Sequence, residues 1–397
     1  MPFGPISALG ANIKSSKYSM YLPRKALASL APPGLIFTAA FTLNQNPFFE
    51  TALNKMMNSL KRFPICSCAL VCLVLVLTIG CGMQKEVLLS GRTMGTFYHI
   101  KVVTGYFEDL SGLQTRIDAR LEEINQSMST YRPDSEISRY NRLSAAETMA
   151  VSADFAEVLK VAKTIHRLSG GAWDGTIKPL VNLWGFGNTR PVEAAPDKLE
   201  VARRLANTGF EHIRFLDGGR IGKQIPGLTL DLASIAKGFG VAAVAAVIRK
   251  AGYPDFLVEI GGEVVAAGVR KDGLPWVVGI NRPVPEAMAN AVYRAVSLTN
   301  GAMATSGDYR IFFELDGVRY AHVIDPRTGY PVRNRAASVS VVAPDCTLAD
   351  GLATALMVMD VKDGLALINR LQNVECLIIM PAPNGQFSDY TSTGFPK

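Results

Sequence analysis

Apolar side chains at Leu113, Ile117, Leu121, Ile124 and Met128 recur every three to four residues, with charge on the opposite face. That spacing predicts an amphipathic helix over residues 110–128. The same pattern predicts helices over 154–168, stopped by Gly170-Gly171, and over 197–206, ended near Gly209. Further helices are expected over 234–250, closed by Gly252, and over 347–359 and 362–371. Residues 84–104 read as one or two strands around a turn at 91–96, and 228–232 is strand-like. Short apolar runs separated by Gly or Pro follow at 256–260, 263–267, 276–280, 292–298, 309–315, 318–324, 338–342 and 376–380. Many short strands with tight turns predict antiparallel sheet. Helices clustered first and strands later predict an α+β fold, mostly antiparallel sheet packed with helices. No internal repeat or long linker divides residues 81–397, so they are expected to form a single compact catalytic unit.

Composition narrows the class. The 48% hydrophobic and 19% charged content of the 397 residues excludes a disordered chain. The net charge of +7 is misleading as a sign of polyanion binding. Seven basic residues against the single acid Glu50 give residues 1–80 a charge of +6, which leaves +1 for residues 81–397. The main body therefore offers no electrostatic footprint for nucleic acid.

From Met56 the sequence has the order of a secretory signal: basic Lys61 and Arg62, an apolar run over 66–79, then Gly80 and Cys81. A plain transmembrane anchor is the alternative, but the run is short for a span of about 20 residues. The ending Leu77-Thr78-Ile79-Gly80-Cys81 resembles a bacterial lipobox, which implies cleavage before Cys81 and acylation of its thiol. Residues 56–80 are thus expected to be a lipoprotein signal peptide. Residues 1–55 carry no chemical motif and are expected to be an upstream extension, with translation starting at Met56 or Met57. Of the six cysteines, only Cys346 and Cys376 follow Cys81. They are either a disulfide of an extracytoplasmic protein or two unpaired core thiols. No CxxC or Cys/His cluster points to zinc.

Four segments carry candidate chemistry. In Asp231-Leu-Ala-Ser234-Ile-Ala-Lys237-Gly-Phe-Gly, an acid, small residues and a lysine open a helix. That suits a phosphate, although taken alone the segment is more simply a capped helix, with Asp231 or Ser234 as N-cap. In Thr347-Leu-Ala-Asp350-Gly-Leu-Ala-Thr354, Asp350 and Thr354 are four apart and share a helix face. A carboxylate and a hydroxyl suit Mg²⁺, while Thr347 and Asp350 also match a capping box. His322, at a strand end before Asp325-Pro-Arg-Thr-Gly, is placed for proton transfer or for a backbone hydrogen bond. Two of the three Trp, Trp173 and Trp184, fall in a Gly-rich stretch that suits stacking on a planar ligand or a core role.

These segments occur in order with Met94-Gly-Thr, Met128-Ser-Thr-Tyr131-x₄-Glu136-Ile-Ser, Trp173-Asp174-Gly-Thr, Gly261-Gly-Glu263 and Ala304-Thr-Ser-Gly307-Asp. Over residues 88–376 the chain closely resembles the ApbE family of FAD:protein FMN transferases. The resemblance implies an ApbE-like fold, FAD as substrate and Mg²⁺ as cofactor. It also implies transfer of the FMN half of FAD to a threonine hydroxyl of an acceptor protein, with release of AMP. The acceptors it implies are flavin-bearing subunits of membrane redox pumps and related electron-transfer proteins, reached from the periplasmic side of the inner membrane. By the resemblance, FAD contacts fall on Met94, Tyr131, Ala172, Trp173, Asp174, Asp231, Lys237 and Ile324. The metal ligands fall on the Ser234 backbone oxygen, Asp350 and Thr354. A threonine hydroxyl needs a base to take its proton, and His322 is the candidate, with Asp325 and a metal-bound water the alternatives. A Mg²⁺-dependent FAD pyrophosphatase and a lipid-anchored flavin-binding protein without catalysis remain the competing readings.

If the signal is read correctly, Cys81→Ser should abolish processing and membrane attachment. A processed, membrane-bound Cys81→Ser protein, detected by fractionation and mass spectrometry, would exclude the lipoprotein reading.

Overall fold

A computed structural model describes residues 83–186, 194–284, 291–308, 312–315, 318–333 and 336–396. The signal segment and Cys81 lie outside these residues. All described residues fall in one compact unit.

The chain enters as a hairpin of β1 (Gln84–Thr93) and β2 (Thr96–Gly105). Its turn is only two residues, Met94 and Gly95, with φ of 48° and 73°. Positive φ at both positions matches the right-handed twist of the strands. Helices α1 (Ser111–Met128), α2 (Glu136–Arg142), α3 (Ala153–Leu168), α4 (Lys178–Leu183) and α5 (Lys198–Leu205) follow. Among them runs a small antiparallel sheet of β3 (Thr148–Ala150), β4 (Ile213–Leu216) and β5 (Arg220–Lys223). Helix α6 (Ala233–Lys250) leads into β6 (Phe256–Ile260) and β7 (Glu263–Ala267). A ribbon of β8 (Trp276–Asn281) and β9 (Val292–Leu298) precedes β10 (Gly301–Gly307). The pair β11 (Phe312–Leu315) and β12 (Val318–Ala321) comes next, then β13 (Ser338–Ala343). Helices α7 (Cys346–Val358) and α8 (Val361–Ile368) and strands β14 (Glu375–Pro381) and β15 (Phe387–Thr391) complete the chain.

Eight strands form the main sheet, in the order β1-β2-β6-β7-β10-β13-β14-β15, and every neighbouring pair is antiparallel. One face packs on helices: Ile100, Val102 and Val258 cluster with Leu113 and Ile117 of α1 and Val241, Val244 and Ile248 of α6. Part of the other face is covered by the β8–β9 ribbon, where Trp276 and Val296 meet Ala266 and Leu377. This double cover explains why β7 is buried at all five positions. The fold is α+β with a mostly antiparallel sheet, as the order of elements predicts.

Residues 228–232 are extended and bury Leu228, Leu230 and Leu232, but they form no strand. The Asn141 side chain takes the ladder's place, accepting from Leu230 N at 2.7 Å and donating to Leu230 O at 2.9 Å. Strand β10 escaped the apolar pattern because Gly301-Ala-Met-Ala-Thr-Ser-Gly307 is built of small residues; pairing with β7 and β13 imposes its conformation. Cys346 and Cys376 are free and buried, so the unpaired-thiol alternative applies.

Helices α6 and α7 touch at Gly238. A Cβ there would lie 2.3 Å from the Cys346 carbonyl oxygen and 2.7 Å from Asp350 Cβ. Gly238→Ala should therefore lower stability by about 1–3 kcal/mol through overpacking, although alanine is the better helix former. Denaturant unfolding checks this, and a variant as stable as wild type would mean the crossing is not tight.

Candidate active site

Three elements wall a cleft of about 970 Å³, within the size range of nucleotide and drug-sized ligands. The β1–β2 hairpin contributes Arg92 to Phe97. The end of α1 and the loop after it contribute Asn125, Met128 and Ser129 to Arg132. The start of α6 contributes Asp231, Ala233, Ala236 and Lys237. Met94, Tyr131, Asp231 and Lys237, four of the residues expected to touch FAD, thus line one cavity.

The walls are tied to one another. Asn125 Nδ2 donates to Thr93 Oγ1 at 3.0 Å, joining α1 to the hairpin. Met94 holds a left-handed backbone rare for residues other than glycine. Its side chain reaches α6, where a Cβ on Gly240 would lie 2.9 Å from Met94 Cε. Tyr131 is 79% exposed at the cleft, and the Phe97 ring is covered by the Arg92 guanidinium at 4.7 Å. An exposed tyrosine there presents a bare ring face for a planar ligand.

The Trp173–Lys178 segment braces the entry to α6. Asp231 N donates to Gly175 O at 2.7 Å, Lys178 Nζ lies 2.7 Å from Asp231 Oδ2, and Trp173 Nε1 donates to Ser234 Oγ at 3.1 Å. Asp231 Oδ1 accepts from Ala233 N at 3.0 Å, so Asp231 both lines the cleft and caps the turn before the helix.

Beneath the cleft lies a cluster of charged and hydroxyl groups. A regular α-helix points the Gly238 N–H at the Ser234 carbonyl. Asp350 Oδ2 also accepts from this N–H, at 2.9 Å. The Ser234 carbonyl and the Asp350 carboxylate therefore converge on one donor. Asp350 is not a capping residue: the N-cap of α7 is Asp345, whose side chain accepts from Leu348 N at 2.7 Å. Ser306 Oγ of β10 lies 3.2 Å from Thr354 Oγ1. Lys237 Nζ is 2.6 Å from Glu263 Oε1 and 4.0 Å from Asp350 Oδ1. Burial alone would lower the Lys237 pKa, but the charges of Asp350 and Glu263 override it and raise the pKa. Burial and the charge of Asp350 push the Glu263 carboxyl up, against the pull of Lys237. Among the described residues, Glu263 Oε2 is buried with no hydrogen-bond partner. The donor set of Ser234, Asp350 and Thr354 consists of hard oxygens and fits Mg²⁺, with an unpartnered buried carboxylate oxygen on the residue that holds Lys237.

Other expected residues stand apart from the cleft lining. Ala172 and Trp173 are buried. Asp174 accepts from Thr176 N and Oγ1 at 2.7 and 2.6 Å and from Phe210 N at 2.9 Å, and burial raises its pKa. Ile324 packs in a cluster with Leu180, Trp184 and Val201. His322 is half-buried, one residue beyond β12. Asp325 accepts three hydrogen bonds from Arg327, from its N, Nε and Nη2, each at 2.9 Å, and lines a second cavity of about 310 Å³ with Arg333 and Asp360. Sequence reasoning assigned no role to Glu263 or Ser306, although Gly261-Gly-Glu263 and Ala304-Thr-Ser-Gly307 were the signals that contain them.

The description "ApbE family" belongs to the family model that matches residues 94–378. An FAD:protein FMN transferase from Vibrio cholerae is 45% identical over 323 residues, which cover 81% of this chain and 95% of that protein. One from Salmonella typhimurium is 33% identical over 340 residues, covering 83% of this chain and 96% of that protein. Among solved structures, flavin transferase ApbE from Vibrio cholerae superposes with a TM-score of 0.71 at 43% identity, covering 79% of this chain and 99% of that one. The apo flavinyl transferase ApbE from Pseudomonas stutzeri gives 0.70 at 35% identity, over 78% and 95%. A match over most of the chain, in sequence and in fold, places this protein in the ApbE family.

Proposed function

We propose that this protein is an FAD:protein FMN transferase that moves the FMN half of FAD to a threonine hydroxyl of an acceptor protein and releases AMP, with Mg²⁺. The reading is supported above all by Lys237, which lines the cleft while its ammonium sits within 4.0 Å of Asp350. One residue thereby links a nucleotide-sized cleft to a set of hard oxygen ligands. Relatives that carry the FAD:protein FMN transferase name at up to 45% identity support the activity.

In this reading the isoalloxazine stacks at the Tyr131 end of the cleft and the pyrophosphate lies toward Lys237. Mg²⁺ held by Asp350, Thr354 and the Ser234 carbonyl supplies neutralisation of the pyrophosphate charge. Lys237 adds a second positive charge beside the phosphates. The threonine oxygen bonds to the FMN phosphorus, the bond to the bridging oxygen breaks, and AMP leaves with that electron pair. His322 takes the threonine proton. Asp325 is the poorer acceptor because Arg327 already occupies both of its oxygens. None of the four histidines is among the cleft-lining residues, and His322 is chosen for its place beside the Asp325 turn; His99 pairs with Glu259 at 2.7 Å, His166 Nδ1 lies 3.0 Å from Trp173 O, and His212 meets Gln224 at 3.3 Å.

The acceptors in this reading are flavin-bearing subunits of membrane redox complexes. The protein would meet them as a lipoprotein anchored through Cys81 to the inner membrane, on its periplasmic side.

Purified protein incubated with FAD, Mg²⁺ and a redox-pump subunit should leave flavin fluorescence on the acceptor after denaturation. FMN and AMP without labelling would instead identify a pyrophosphatase. Bound FAD that stays intact would identify a flavin-binding protein.

His322→Asn should keep FAD binding while transfer falls by about 10²–10⁴-fold, and the pH–rate profile should lose its lower limb. Weak FAD binding with normal turnover at saturation would make His322 a ligand contact instead.

A further inference from the structure

Glu263 is the first residue of β7, directly after the two-residue turn Gly261-Gly262, whose φ values are 61° and 107°. The turn presses on the site: a Cβ on Gly261 would lie 2.8 Å from Thr96 Cγ2 and 3.5 Å from Lys237 Cδ. The backbone thus delivers the Glu263 carboxylate to the side of the Lys237 stem. There Glu263 is 2% exposed. Its Oε1 is 2.6 Å from Lys237 Nζ, whereas Asp350 Oδ1 is 4.0 Å from the same ammonium. Two carboxylates compete for one lysine, and Glu263 holds it.

That outcome matters for Asp350. A lysine bonded to Asp350 would occupy an oxygen and cancel the charge that a divalent cation needs. A buried ion pair is also weak evidence of a stabilising role, because desolvation offsets much of the attraction. Glu263 in addition keeps one buried oxygen without a partner, which costs stability rather than adding to it. Both points favour a role at the site over a role in folding.

We propose that Glu263 is a positioning residue of the cation site: it holds the Lys237 ammonium away from Asp350, leaving the Asp350 carboxylate available to a divalent cation. This role rests on the reading of Asp350 as a cation ligand.

Mn²⁺ is the probe, titrated by electron paramagnetic resonance into the full chain without FAD. Glu263→Gln keeps the volume and removes the charge, which frees Lys237 to bond Asp350. Mn²⁺ affinity should fall by about tenfold or more, in the range seen when an outer partner of a metal ligand is removed. In a Lys237→Met background the same substitution should cost several-fold less, because no ammonium remains to be held and only the through-space charge of Glu263 is lost. An equal loss in both backgrounds would overturn the proposal and make Glu263 act on the cation directly. Unchanged affinity in the Lys237-containing protein would also overturn it, leaving Glu263 a packing residue. Should Glu263→Gln not fold, Glu263→Asp, one methylene shorter, should weaken Mn²⁺ binding in the same direction and only where Lys237 is present. Asp350→Ala separates the two readings: wild-type Mn²⁺ affinity in that variant would remove the cation site itself, whatever Glu263 does.

Discussion

The crossing of α6 and α7 at Gly238 is the constraint on which the site depends. With no side chain at that position, the α6 backbone approaches α7 until its N–H reaches Asp350 Oδ2 at 2.9 Å. A wider crossing would separate the Ser234 carbonyl from the Asp350 carboxylate and break up the donor set. The same approach fixes Lys237, one residue earlier, so that its stem runs from the cleft toward Asp350. Gly351, next to Asp350, does the equivalent for α3: a Cβ there would lie 2.3 Å from Ile165 Cδ1. Dense packing on both sides of Asp350 leaves the carboxylate little room to move, and a rigid ligand loses less freedom on binding a cation.

Electrostatics then follow from this packing. One lysine and two carboxylates lie together beneath the cleft, and the surroundings are apolar enough that burial shifts Glu263 upward. With both carboxylates ionised the group would carry a net negative charge, which burial disfavours and a divalent cation would offset. A divalent ion bound there would offset that charge and ease the approach of an anionic phosphate to Lys237, which would couple cation and nucleotide through the same few groups.

Helices α1 and α3 were legible because each has one apolar face, whereas α7, buried at 11 of its 13 positions, showed only as an apolar run in which the spacing of four still pairs Asp350 with Thr354. What could not be read was which of two local meanings applied. Thr347 and Asp350 match a capping box, but the cap falls two residues earlier, on Asp345, which releases Asp350 for the α6 contact. Leu228, Leu230 and Leu232 alternate as a strand does, yet a single asparagine side chain replaces the neighbouring strand. Glu263 was invisible for a different reason. Its neighbours Lys237 and Asp350 are distant in sequence, and a glutamate after two glycines is an ordinary hairpin signal.

The residues expected to touch FAD divide into two groups with different physical work. Met94, Tyr131, Asp231 and Lys237 face the cavity. Trp173 and Asp174 lie behind it, and their hydrogen bonds run to Ser234, Thr176 and Phe210. Trp173 holds the first turn of α6 by its indole N–H, while Gly175 O receives the Asp231 N–H. These bonds set the direction in which α6 enters the site. A segment can therefore carry a family's signature through the residues that orient a helix as much as through those that meet the ligand. The Trp-Asp-Gly segment is needed because α6 has no side-chain cap of its own at Leu232. Its start is held by Asp231 Oδ1 on Ala233 N and by the Trp173 indole on Ser234, while Gly175 and Lys178 hold Asp231 itself.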